Sequence, residues 1–131
     1  MASIFTKIIN GEIPSYKVAE NDRYIAILDA FPLVEGHVLV IPKQEVDKIF
    51  DLDKETYSGL MDFAYDIAQA IGKAIPCLRV GVAVIGLEVP HVHVHLVPLN
   101  TIEDINFANP KLQLEAEKMS AIAEKIKSYL Q

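Results

Sequence analysis

Three of the chain's four histidines fall within five residues, at alternate positions of the apolar run "PHVHVHLVP", Pro90 to Pro98. In an extended strand successive side chains point to opposite faces. His91, His93 and His95 would share one face, with Val92, Val94 and Leu96 on the other. Valine favours a strand, and a proline at each end delimits it. A buried neutral imidazole still needs partners for both ring nitrogens, so three of them are poor filler for a core. The row is read as chemistry.

Two chemistries compete for it. Histidines at alternate strand positions are a common way to hold zinc. At about 3.4 Å per residue, however, His91 and His95 have Cα atoms roughly 13 to 14 Å apart. Zinc needs every ring nitrogen within about 2.1 Å. Two of the three could chelate an ion if a third ligand came from elsewhere, but the run holds no carboxylate and only Glu88 is near. Covalent phosphoryl chemistry uses all three positions. A neutral imidazole is a good nucleophile toward phosphorus, and histidine ordinarily titrates near pH 6.5. Neighbouring histidines disfavour one another's protonation, which keeps the central His93 free to attack. The flanking rings, once protonated, would hold phosphate oxygens and donate a proton to a leaving group.

The elements around the row are legible from period and punctuation. "SIFTKII", Ser3 to Ile9, reads as a short helical turn stopped by Gly11 and Pro14. "SYKVAE", "YIAILDA" and "HVLVIP" read as three strands, and their short connections predict an antiparallel meander. From an N-cap at Asp53 the period changes. Tyr57, Leu60, Met61, Ala64, Ile67, Ala68 and Ile71 form one apolar helical stripe, which ends before Pro76. "CLRVGVAVIG" and "HVHVHLVPL" are two further strands, predicted to join through a short turn from Gly86 to Pro90. Met119, Ile122, Ala123, Ile126 and Leu130 mark a C-terminal helix. The expectation is one α+β domain over residues 1–131.

Composition excludes several classes. With 51% hydrophobic and 23% charged residues the chain is an ordinary globular one. No apolar run approaches the roughly 18 residues that cross a bilayer. The N-terminus lacks the features of a signal peptide. A single cysteine, Cys77, rules out an intramolecular disulfide and a cysteine-based zinc site. A cytoplasmic setting is expected. The net charge of −6, with twelve scattered Lys and Arg, argues against long nucleic acids but leaves room for a small anion.

The run "HVHVHLVP" resembles the His-x-His-x-His signature of the histidine triad family of nucleotide hydrolases and transferases. "GHVLVIPK", Gly36 to Lys43, resembles a second family block, and "IFTKIINGEIPSYKVAENDRYIAILDAFP" its N-terminal region. The resemblance spans nearly the whole chain and weakens after Asn100. It implies a five-stranded antiparallel sheet with two main helices, paired with a second copy into a two-fold dimer. It implies that His93 is the nucleophile taking up a nucleoside 5′-monophosphate, that His95 contacts phosphate oxygens and that His91 orients the site. The fourth histidine, His37, would face the triad from the neighbouring strand. Asp29 matches the ribose-binding acid, whose carboxylate can accept from both ribose hydroxyls. Phe5, Ile8 and Ile27 match the apolar slot for the base.

The chain also departs from the pattern. Val80 and Leu87 stand where members often carry an Asn and a Gln that hold phosphate. Glu45 replaces a common histidine, and Leu99 an arginine of dinucleotide-cleaving members. His95, in place of the glutamine of related transferases, favours hydrolysis over nucleotidyl transfer. The expectation is a purine nucleoside phosphoramidase, with no cofactor or metal, forming a covalent histidine–nucleotide intermediate. Three alternatives stand beside it: a nucleotide-binding scaffold with an inert triad, a dinucleoside polyphosphate hydrolase, and a metalloenzyme using two of the histidines.

Overall fold

The expected meander forms the first half of the sheet in the computed structural model, which describes residues 2–130. Strands β1 (Lys17–Glu20), β2 (Tyr24–Leu28) and β3 (Val38–Pro42) pair antiparallel in sequence order. Strand β5 (Val94–Leu99) then adds to β3, and β4 (Arg79–Ala83) closes the sheet outside β5, giving the order β1-β2-β3-β5-β4. Three helices accompany the sheet: α1 (Ile4–Ile9), α2 (Lys54–Ala74) and α3 (Ala116–Lys127). The architecture is α+β. No helix among the described residues is long and apolar enough to cross a membrane.

Strands β2 and β3 are buried along their whole length because both faces of the sheet are covered. Alternation sorts their side chains. Ala26, Leu28, Val38 and Val40 join Val94 and Leu96 of β5 in the main core beneath α2 and α3. Ile25, Ile27, Leu39 and Ile41 point the other way, into a smaller cluster with Phe5 of α1. His95 pairs in register with Leu39, so it too belongs to the face away from the long helices. Strand period alone puts that imidazole opposite the main core.

Helix α2 begins as expected, with the Asp53 side chain accepting from the Thr56 amide. Its buried stripe is turned slightly from the expected one. Thr56 is buried and Tyr57 is exposed, while Met61 and Ala68 are half-buried. The start of β2 and the residue before it hold Thr56: the Tyr24 hydroxyl donates to Thr56 O, and the Arg23 guanidinium donates to Thr56 Oγ1. On α3, Met119, Ile122, Ala123 and Ile126 are buried as read, whereas Leu130 lies beyond the helix.

The connection between β4 and β5 departs most from expectation. It is no short turn: residues 84–93 form a loop, and β5 starts only at Val94, so His91 and His93 precede the strand. The backbone there is tied elsewhere. Val92 N–H donates to Val46 O, just past β3, at 2.8 Å. Beyond β5 the chain makes a 3₁₀ turn at Ile102–Ile105. Leu112 N–H then donates to Pro32 O at 2.8 Å, drawing this segment back to the β2–β3 connection.

Candidate active site

His37 enters β3 from a turn in which Gly36 adopts φ +92°, a left-handed conformation that favours glycine. The pairing of β3 with β5 then brings His37 beside His95. Partners fix the proton positions. Leu33 N–H donates to His37 Nδ1 (3.1 Å), so the proton of neutral His37 sits on Nε2 and is donated to His95 Nδ1 (2.9 Å). His95 therefore carries its own proton on Nε2. Burial pushes His37 down to about 3, with the nearby His95 adding to it. Burial, with His93 close by, pushes His95 down to about 4. Both rings are neutral at neutral pH, so the protonated clamp expected at His95 is absent. What remains at His95 is a neutral N–H donor.

His91 is fully buried, and both its nitrogens are taken. Its Nε2–H donates to Pro42 O (2.8 Å), and Ser3 Oγ–H donates to Nδ1 (2.6 Å). Burial lowers its pKa as well. Ser3 is the N-cap of α1, and its backbone N–H donates to Glu45 Oε1 at 2.8 Å. Thr6 Oγ1 donates to the same oxygen. Glu45 thus pins the start of α1 to the segment after β3. His91 has no nitrogen left for a phosphate, which corrects the picture of two flanking rings around His93.

His93 is held by a different contact. Its Nδ1–H donates to the His91 carbonyl (2.8 Å), which leaves the Nε2 lone pair without a protein partner. No buried side-chain nitrogen or oxygen among the described residues lacks a partner. The unengaged Nε2 atoms of His93 and His95 therefore reach solvent. The two rings lie 4.9 Å apart, centroid to centroid, and Phe5 packs edge-on against His93 at 4.9 Å. A cavity of about 300 Å³ opens beside His93, lined by Ile49, Phe50, Val84 and Ile85 among others.

The other expected residues converge on the same face. Asp29 follows β2; its Oδ1 accepts from Phe31 N–H (3.0 Å) and its Oδ2 lies 3.7 Å from His37 Nε2. Burial raises its pKa. Phe5 and Ile27 share one cluster, and Ile8 packs against it half-buried. Val80 packs against the main core, and Leu87 is 88% exposed, so neither offers a phosphate contact. Phe107 was not foreseen: its ring lies edge-on to His95 at 4.7 Å and 6.3 Å from His37. It sits in the segment where the family resemblance weakens, and no periodicity marks it.

Asp29, His37 and His95 bring three donor atoms within 4.8 Å of one another, a set that invites a metal. The hydrogen bonding does not fit one. A metal-bound histidine donates its second N–H to an oxygen, whereas His37 Nδ1 accepts from Leu33 N–H. Metal on Nε2 would require an imidazolate or loss of that bond. The trio fits a proton-sharing pair beside a carboxylate.

Comparison with known proteins identifies the family. The HIT domain model matches residues 10–102. An adenosine 5′-monophosphoramidase of Schizosaccharomyces pombe is 32% identical, with 98% of each chain covered. An uncharacterized HIT-like protein of Borreliella burgdorferi is 34% identical, with 94% of each covered. Among solved structures, a Hit-like protein involved in cell-cycle regulation from Bartonella henselae superposes with a TM-score of 0.84 at 32% identity. That match covers 98% of this chain and 96% of the other. With most of its length matched by the family model and by these relatives, this chain belongs to the HIT family.

Proposed function

We propose that this protein hydrolyses nucleoside 5′-monophosphate conjugates, as a purine nucleoside phosphoramidase with His93 as nucleophile. The observation that carries the reading is the bond from His93 Nδ1–H to the His91 carbonyl, which leaves Nε2 open beside the Nε2–H of His95. His93 Nε2 attacks phosphorus, and the P–N bond to the amine breaks as the N–P bond forms. The departing amine takes a proton from solvent. Water then attacks phosphorus, releases the nucleoside 5′-monophosphate, gives up its proton to solvent and returns the lone pair to His93. His95 Nε2–H stabilises the charge that builds on a phosphoryl oxygen. Asp29 holds the ribose hydroxyls, and Phe5, Ile8 and Ile27 receive the base. The S. pombe relative's name agrees in reaction type.

The test is release of AMP from adenosine 5′-phosphoramidate, with mass spectrometry of enzyme quenched during turnover. A nucleotide adduct on His93 is expected. Tight AMP binding without turnover would instead establish the scaffold reading, which the apolar Val80 and Leu87 favour. Faster cleavage of a dinucleoside polyphosphate than of the phosphoramidate would replace the leaving group.

The same reading places the protein in the cytoplasm as a two-fold dimer. Strand β4 is a sheet edge, its Val82 is 53% exposed, and Val84 and Ile85 continue the apolar surface into the loop. Pairing with a second copy covers such an edge.

A further inference from the structure

The phosphoryl group of the proposed substrate is anionic, yet the residues named so far bring it no positive charge. His37, His91 and His95 are neutral at neutral pH, a nucleophilic His93 must be neutral, and Asp29 can only add negative charge. Val80 packs against the main core and Leu87 is an exposed apolar side chain, so neither adds a charge. A lysine or arginine held near these rings would supply the missing charge.

We propose that Lys111 is the phosphate-binding cation of this site, an inference that rests on the nucleotide-conjugate reading. Lys111 belongs to the segment that returns over the histidines after β5. Its Nζ donates to Phe107 O (2.6 Å) and Asn109 O (3.2 Å), and an ammonium has three donors, so one N–H remains. Phe107 is the residue whose ring lies against His95. One residue further on, the bond from Leu112 N–H to Pro32 O anchors the segment to the loop that carries Asp29 and His37. The ammonium is thereby held against the backbone of the residue whose ring packs on His95.

Two further observations agree. Among the described residues no ion pair involves Lys111, so its charge is not spent on a carboxylate. Its field nevertheless reaches the site, favouring ionised Asp29 and neutral His37 and His95. Two carbonyl acceptors orient the side chain without neutralising it. A bound phosphate oxygen would complete its third bond and its charge balance together.

The test is calorimetric binding of AMP and of adenosine to the wild-type protein, Lys111→Met and Lys111→Arg. Lys111→Met should weaken AMP roughly 10- to 100-fold, the range of a lost charge-assisted hydrogen bond. Adenosine affinity should stay within about twofold, because the nucleoside has no phosphate, and Lys111→Arg should recover most of the AMP loss. Equal losses for AMP and adenosine would assign Lys111 to loop structure alone and overturn the proposal. So would unchanged AMP binding in Lys111→Met. Failure of the wild-type protein to bind either ligand would instead remove the nucleotide reading, and this inference with it.

Discussion

His37 Nε2 and His95 Nδ1 lie 2.9 Å apart across strands β3 and β5, joined by a single proton. The pair begins at a backbone donor, Leu33 N–H, and ends at the open Nε2–H of His95. Its direction is therefore set by the main chain. Adding a second proton would break the chain of bonds and place charge in a buried site. That restriction makes the pair a source of pH-dependent stability.

Stability should fall as the pH drops below about 6.5. Both histidines have folded pKa values, about 3 for His37 and about 4 for His95, below the unfolded value of 6.5. The unfolded chain binds protons first, so stability is complete above pH 6.5 and is lost as pH falls toward the folded values. Each histidine contributes a slope of up to about 1.4 kcal/mol per pH unit. Urea denaturation between pH 7.5 and 5 measures this effect, to which His91, also lowered by burial, adds in the same direction. A flat profile between pH 6.5 and 5 would contradict the assigned protonation states.

His93→Ala should abolish phosphoramidate hydrolysis, because it removes the only imidazole with a free lone pair. The fold should survive at a cost of about 1 kcal/mol, the worth of its bond to the His91 carbonyl. Thermal melts and AMP binding report the fold, and single-turnover kinetics report the chemistry. Near-normal turnover in this variant would mean that another residue attacks.

His91→Ala should behave differently from His95→Ala. Removing His91 deprives Ser3 Oγ–H and Pro42 O of buried partners and leaves a cavity, so a loss of about 2–4 kcal/mol is expected. Its effect on turnover should come through displacement of the carbonyl that orients His93. His95→Ala should retain more stability and lose turnover through the missing oxygen contact. Equal melting temperatures for the two variants would contradict these separate tasks.

Turnover should survive dialysis against a chelator. The Leu33 amide holds His37 in the tautomer unsuited to metal, His91 has both nitrogens engaged, and His93 alone offers a free lone pair, one ligand where a bound ion needs three or more. Loss of activity restored by zinc alone would favour the metalloenzyme reading.

Light scattering should report a homodimer at micromolar concentration, and Val82→Glu on the exposed edge of β4 should shift it toward monomer. A monomeric wild-type protein would remove the dimer from the proposal. Phe63 of α2 packs against Tyr24 within its own chain, with ring centroids 5.7 Å apart.

The sequence by itself determined the local elements and the faces they present. The alternation of valine and histidine commits His95 to one side of a strand because side-chain direction there follows from backbone geometry. The Asp53 cap and the apolar period of α2 are equally local. The resemblance carried by "GHVLVIPK" and "HVHVHLVP" identified the family and brought His37 and Asp29 into consideration. Only the tertiary structure decided where the protons sit. His91 is sealed by Ser3 and Pro42, 88 and 49 residues away, while His37 joins His95 across 58 residues. Tautomer and burial depend on partners that chain folding supplies, and no periodicity encodes them. The same holds for Phe107, whose ring meets His95 in an irregular segment that a backbone bond from Leu112 ties to Pro32. The histidine row is a local property of the chain; its division into a sealed ring, an open lone pair and a neutral donor is a property of the fold.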